Sequence, residues 1–121
     1  MNTPAALADR APARRALTAD AIAALLPEVP RWQLVQPEGA PSRLRSTLAF
    51  RDFGGALTFA NRVGLVADQL DHHPDLHVSW GKLLIEVWTH DAGGLSEADF
   101  VLAARIDRLV VDATPAADTR P

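Results

Sequence analysis

Cysteine is absent from the 121 residues, so no disulfide framework, thiolate metal site or cysteine nucleophile is available; this fits a reducing compartment. No apolar run approaches the roughly 20 residues needed to cross a bilayer. The opening residues also lack the uninterrupted hydrophobic stretch of a secretory signal. A soluble, cytoplasmic protein with no membrane role is expected. Arg10, Arg14 and Arg15 lie among alanines, as in an organelle transit peptide, but Asp9 and the scarcity of serine count against one. Lysine is nearly missing, Lys82 being the only one, and the formal net charge of -3 offers no general attraction to phosphates or anionic lipid. A nucleic-acid partner is therefore disfavoured. No G-x-G-x-x-G fingerprint, P-loop or G-x-S-x-G elbow occurs, which argues against a bound dinucleotide or a serine nucleophile.

What is present is ordinary globular composition, 48% hydrophobic and 22% charged, in a length suited to one domain. Residues 1–16 are rich in Ala, Arg and Pro without periodicity and read as a flexible arm; residues 112–121 read as a flexible tail. Between them, residues 17–111 form the domain. Thr18 caps a short first helix over 18–26 that Pro27 and Pro30 end. Residues 32–35 and 43–51 read as strands around a turn holding Gly39. Asp52 caps the main helix, which should end near Asp71 because Pro74 follows. Period-two alternation returns over 77–80 and 82–90, with Gly81 at the bend. Leu83, Ile85, Val87 and Thr89 then face the core, and Leu84, Glu86, Trp88 and His90 face away. Ser96 and Asp99 bracket the start of a last helix over 97–111 in the manner of a capping box. The order predicts an α+β two-layer domain, a four-stranded antiparallel sheet with three helices packed on one face.

All four histidines fall between positions 72 and 90. Imidazole titrates near neutrality, so several in one pocket can donate and accept protons within a single reaction. A histidine pair just past a helix end also has a structural use, because an imidazolium there favours the helix dipole. His90 at a strand-to-loop junction makes the structural account need two coincidences. Asp68 lies four residues before His72 and would share a helix face with it, orienting the ring or forming an ordinary solvated pair. His73 and His77 are also four apart, but Pro74 argues against a helix through them, and no metal site is expected.

Asp68, His72, His73, Pro74, Trp80, His90 and Asp99, with the stretches LDHHPDLHVSW and THDAGGLSEADF, resemble the pterin-4a-carbinolamine dehydratase family over about residues 17–110. The resemblance implies dehydration of 4a-hydroxytetrahydropterin to quinonoid dihydropterin, recycling the pterin of an aromatic amino-acid hydroxylase, without a cofactor. It implies His72 and His90 as the proton-transferring pair, His73 as a pterin-holding residue of the same catalytic set, and Asp68 and Trp32 as substrate contacts. Asp99 is expected first as helix-capping support. A homodimer or homotetramer is implied, and outward-facing Trp88 or the last helix could mediate it. Animal members of the family also serve as coactivators of a homeodomain transcription factor, so a non-catalytic dimerisation module of the same fold is the second reading. The Arg-rich, Lys-poor composition suits a GC-rich bacterial genome, where such a partner is not expected.

Overall fold

The computed structural model describes residues 6–118, with side chains through residue 110. Local chemistry starts each helix. Thr18 Oγ1 accepts the Ala21 amide at 3.1 Å and opens α1, Ala19–Leu25. Asp52 Oδ1 accepts the Gly55 amide at 2.8 Å and opens α2, Phe53–Leu70. Both caps satisfy amides that have no partner inside their helix. Pro27 ends α1 in a single 3-10 turn, Leu26–Glu28. The last helix, α3, spans Glu97–Asp118.

The strands β1 (Gln33–Val35), β2 (Arg43–Ala49), β3 (Asp75–Ser79) and β4 (Lys82–Val87) form one antiparallel sheet in the order β1-β2-β4-β3. Register puts Leu44 opposite Val87, Ser46 opposite Ile85 and Leu48 opposite Leu83, so these side chains share one face. That face buries Phe59, Val63 and Ala67 of α2 and Phe100, Val101 and Ile106 of α3. Each fully buried large apolar side chain contributes roughly 1.5–3 kcal/mol, enough to fix which face points inward. The α+β architecture expected from the sequence is the one observed. Trp80 and Gly81 join β3 to β4. Gly81 has φ +72°, and a Cβ there would lie 3.2 Å from the Phe50 carbonyl oxygen, so glycine meets both demands of the turn.

Five expectations about extent are corrected. The arm expected over 1–16 is docked from Ala6 onward: Leu7 and Ala8 are buried, Arg10 pairs with Glu97 at 3.0 Å, and the Ala98 amide bonds Ala13 O at 2.8 Å. Leu7 is an apolar anchor that averaged composition hides. Residues 1–5 of that arm lie outside the described residues. The helix expected to stop at 111 continues to Asp118. The flexible tail expected over 112–121 is therefore helical as far as it is described, residues 119–121 lying outside. Strand β3 begins at Asp75, not at 77, because Asp75 pairs with Glu86. Strand β4 stops at Val87, not at 90, because Thr89 N bonds Gly94 O at 2.8 Å and closes a local loop. Among the described residues no helix is long and apolar enough to cross a membrane.

Candidate active site

The site begins with the way α2 ends. Asp71 takes a left-handed backbone, φ 54°, while the His72 amide reaches back to Ala67 O at 3.1 Å and the Asp71 amide to Asp68 O at 3.2 Å. This Schellman closure uses an aspartate where glycine is usual, and it turns the chain sharply just before Pro74. The turn carries His72 inward, to 8% exposure, where its Nε2 lies 2.6 Å from Asp99 Oδ1. His73, one residue on, points outward and meets Asp68 Oδ1 through Nε2 at 2.9 Å. The expected Asp68–His72 pairing is therefore replaced by Asp68–His73. Four-residue spacing brings side chains together only on a continuing helix, and the left-handed residue at 71 ends it. The exposed Asp68–His73 pair adds little stability.

Asp99 is fully buried at 0% exposure. Its Oδ2 accepts the Ser96 amide at 2.8 Å and the Thr89 hydroxyl at 2.8 Å, and Thr89 Oγ1 lies 2.6 Å from Ser96 Oγ. One half of the capping box expected of Ser96 and Asp99 is present, the Asp99 carboxylate on the Ser96 amide, while the Ser96 hydroxyl turns to Thr89; the same carboxylate also holds His72. With the Ser96 amide and Thr89 hydroxyl on one oxygen, the carboxylate acts as acceptor and His72 Nε2 as donor, so His72 Nδ1 is the ring nitrogen that Asp99 does not engage.

His90 opens the 3-10 turn His90–Ala92 that follows β4. Its ring lies 4.8 Å from the Trp88 ring at an interplanar angle of 44°. The Arg43 guanidinium sits 4.0 Å from the Trp88 ring centroid, and Arg43 and Arg45 bond Glu86 at 3.4 and 2.6 Å. Burial would push the Glu86 carboxyl up, but the hydrogen bonds and charges of Arg45 and Arg43 outweigh it and hold the group below its ordinary value.

His72, His73 and His90 line one cleft of about 370 Å³ together with Trp88, Thr89 and Arg14. That volume suits a small molecule. Asp71, Asp75 and Asp91 are exposed carboxylates on the same cleft.

Trp32, expected to wall the substrate, does not line this cleft. It is 4% exposed in the core, and its Nε1 donates to Asp107 Oδ1 at 2.9 Å. A buried indole N–H needs a partner, and α3 supplies one there. Burial pushes the Asp107 carboxyl above its ordinary value, with the Trp32 hydrogen bond offsetting part of the rise. The cleft's indole is Trp88. His77 is exposed on β3 opposite Leu84, on the helix-free face, and does not line the cleft. Among the described residues no group of three or more His, Cys, Asp or Glu side chains could hold a metal ion. Sequence reasoning missed Arg14 and Thr89. Thr89 had one signal, a hydroxyl on the core-facing side of a strand that must find a partner; Arg14 had none.

Residues 15–109 match the family model for pterin 4 alpha carbinolamine dehydratase. The chain belongs to this family. A Chlorobium limicola protein assigned by name as a pterin-4-alpha-carbinolamine dehydratase is 52% identical over 89 residues, covering 74% of this chain and 78% of that protein. A Microcystis aeruginosa protein of the same assignment is 46% identical over 91 residues, covering 75% and 78%. Membership in the pterin-4a-carbinolamine dehydratase family makes the chain a dehydratase enzyme. The solved structure of a transcriptional coactivator/pterin dehydratase from Brucella melitensis superposes with TM-score 0.68 at 27% identity, over 77% of this chain and 96% of that one. A pterin dehydratase-like protein identified as a RuBisCO assembly factor in the alpha-carboxysome shares the fold, with TM-score 0.53 at 20% identity over 64% and 87%.

Proposed function

We propose that this chain dehydrates a 4a-hydroxytetrahydropterin to the quinonoid dihydropterin and water, recycling the pterin of an aromatic amino-acid hydroxylase. The C4a–O bond breaks, the oxygen leaves as water after gaining a proton, and the adjacent ring nitrogen gives up a proton to complete the double bond. The balance needs no external oxidant or reductant. Two positioned proton-transfer groups on one heterocycle are what the reaction asks of a protein. His72, through Nδ1, and His90 are those groups; His73, kept in place by Asp68, holds the ring, and Trp88 offers it an apolar surface. The observation that carries this reading is that three histidines from two separate turns line one cleft, one of them oriented by a buried carboxylate. The active species is a homo-oligomer in this reading.

Loss of the 4a-hydroxytetrahydropterin absorbance, followed with purified protein under metal chelation, tests it. Native protein should accelerate the loss, and His90→Ala should slow it by roughly 10²–10⁴-fold while leaving the fold intact, because His90 is exposed. Native protein without acceleration defeats the reading; a fully active His90→Ala defeats the role of His90.

A further inference from the structure

The segment 6–14 precedes the part of the chain that the family model matches, which starts at residue 15. It nevertheless reaches the site. Arg14 Nη2 donates to Leu70 O at 3.0 Å and to Asp71 O at 2.6 Å. These carbonyls belong to the last residue of α2 and to the left-handed residue after it. The Schellman bonds engage Ala67 O and Asp68 O and leave these two free. Arg14 therefore completes the helix end with a cation at the negative pole of the dipole. The next two residues are His72 and His73, and Arg14 lines the same cleft as both.

The rest of the segment ties Arg14 to α3, the helix that carries Asp99. Leu7 is buried in the core, Arg105 Nε donates to Ala8 O at 2.8 Å, and Arg10 pairs with Glu97 at 3.0 Å. The Leu17 amide bonds Leu95 O at 2.9 Å and the Ala98 amide bonds Ala13 O at 2.8 Å. One strap thus spans from the first turn of α3, beside Asp99, to the last turn of α2, before His72. The His72–Asp99 contact of 2.6 Å bridges those same two helix ends.

We propose that Arg14 is a positioning residue for the dehydration, fixing the turn that sets His72 against Asp99 and His73 against the substrate. The inference rests on the dehydratase reading above. A left-handed aspartate is a strained way to end a helix, and the guanidinium bond to Asp71 O stabilises that conformation directly. Without it the turn relaxes, and His72 and His73 move relative to His90. A displacement of about an ångström at such groups is enough to cost up to roughly 100-fold in rate.

The test compares Arg14→Met, Arg14→Lys and Arg10→Met in the full chain, with kcat and KM measured separately and melting recorded for each. Arg10→Met is the control, since it breaks an ion pair of the same strap at a point that does not line the cleft. Arg14→Met should lower kcat by roughly 10- to 100-fold with a smaller change in KM. Arg14→Lys should recover much of the rate, and Arg10→Met should stay within about twofold of native. Arg14→Met retaining native kcat overturns the proposal, as does Arg10→Met falling equally far. Arg14→Gln, judged by the same thresholds, replaces Arg14→Met if that variant does not fold. Native protein without turnover would instead defeat the dehydratase reading. The ring ¹⁵N shifts of His72 and His73 then decide about Arg14: they should change in Arg14→Met and not in Arg10→Met, and unchanged shifts in Arg14→Met overturn it.

Discussion

Replacing Asp99 by asparagine keeps the shape of the buried carboxylate and reverses one hydrogen bond. Both carboxylate oxygens are accepting: Oδ1 faces His72 Nε2 at 2.6 Å, and Oδ2 takes the Ser96 amide and the Thr89 hydroxyl, each at 2.8 Å. An asparagine has one acceptor and one donor end. The Ser96 amide can only donate, so the asparagine oxygen must stay on that side and its NH2 must turn to His72. His72 Nε2 then has to accept, the ring proton moves to Nδ1, and the nitrogen proposed to transfer protons loses its lone pair. The rate should fall by roughly 10²–10⁴-fold, the range for a general acid or base and for a histidine held in the wrong tautomer. That corresponds to about 3–5 kcal/mol of transition-state stabilisation. Losing a charge-assisted buried hydrogen bond should also cost about 1.5–3 kcal/mol of stability. Three measurements on Asp99→Asn check this: the absorbance decay of the 4a-hydroxy substrate, the ¹⁵N tautomer pattern of His72, and urea denaturation. A variant that keeps the native rate, or that loses it while His72 stays protonated on Nε2, refutes the reasoning.

Two further outcomes are expected. Asp107→Asn keeps an acceptor for Trp32 Nε1 while removing a carboxylate whose pKa burial raises. A carboxyl with a raised folded-state pKa is destabilising when ionised, at pH above that value, and the penalty vanishes below the unfolded value. Asp107→Asn should therefore melt higher than native protein at pH 7, with the difference closing below about pH 4; equal melting at pH 7 would contradict it. The second concerns assembly. Phe53, Leu57 and Leu65 of α2 are 45%, 44% and 65% exposed, a large apolar exposure for one helix. Sedimentation velocity should show a homodimer or homotetramer, and Leu65→Glu should shift it towards monomer; a native monomer at micromolar concentration contradicts the oligomer.

Local chemistry was legible from residue order alone. Thr18 and Asp52 cap the helices predicted for them, the alternation of Leu83, Ile85 and Val87 fixes the inner face of β4, and Ser96 with Asp99 starts the last helix. Each depends on neighbours within about four residues, the range over which backbone geometry makes side-chain positions predictable. The clustering of His72, His73 and His90 in sequence also anticipated that they would line one cleft, because both turns that carry them are local features.

The partners were decided elsewhere. Asp68 goes to His73 because a single left-handed residue, Asp71, breaks the periodicity on which the Asp68–His72 expectation relied. His72 finds Asp99 across 27 positions, a pairing that exists only because the end of α2 and the start of α3 meet over the sheet. Trp32 is drawn into the core by Asp107 of α3, and Trp88 takes its expected place beside the histidines. Arg14 sat in a stretch whose composition suggested no structure, yet Leu7 anchors it and its guanidinium closes α2. The sequence by itself determined the elements, their inner faces and the three histidines, since these follow from short-range geometry. The tertiary structure alone decided which carboxylate orients which ring and which ring nitrogen Asp99 engages, since those depend on contacts that the order of residues does not set.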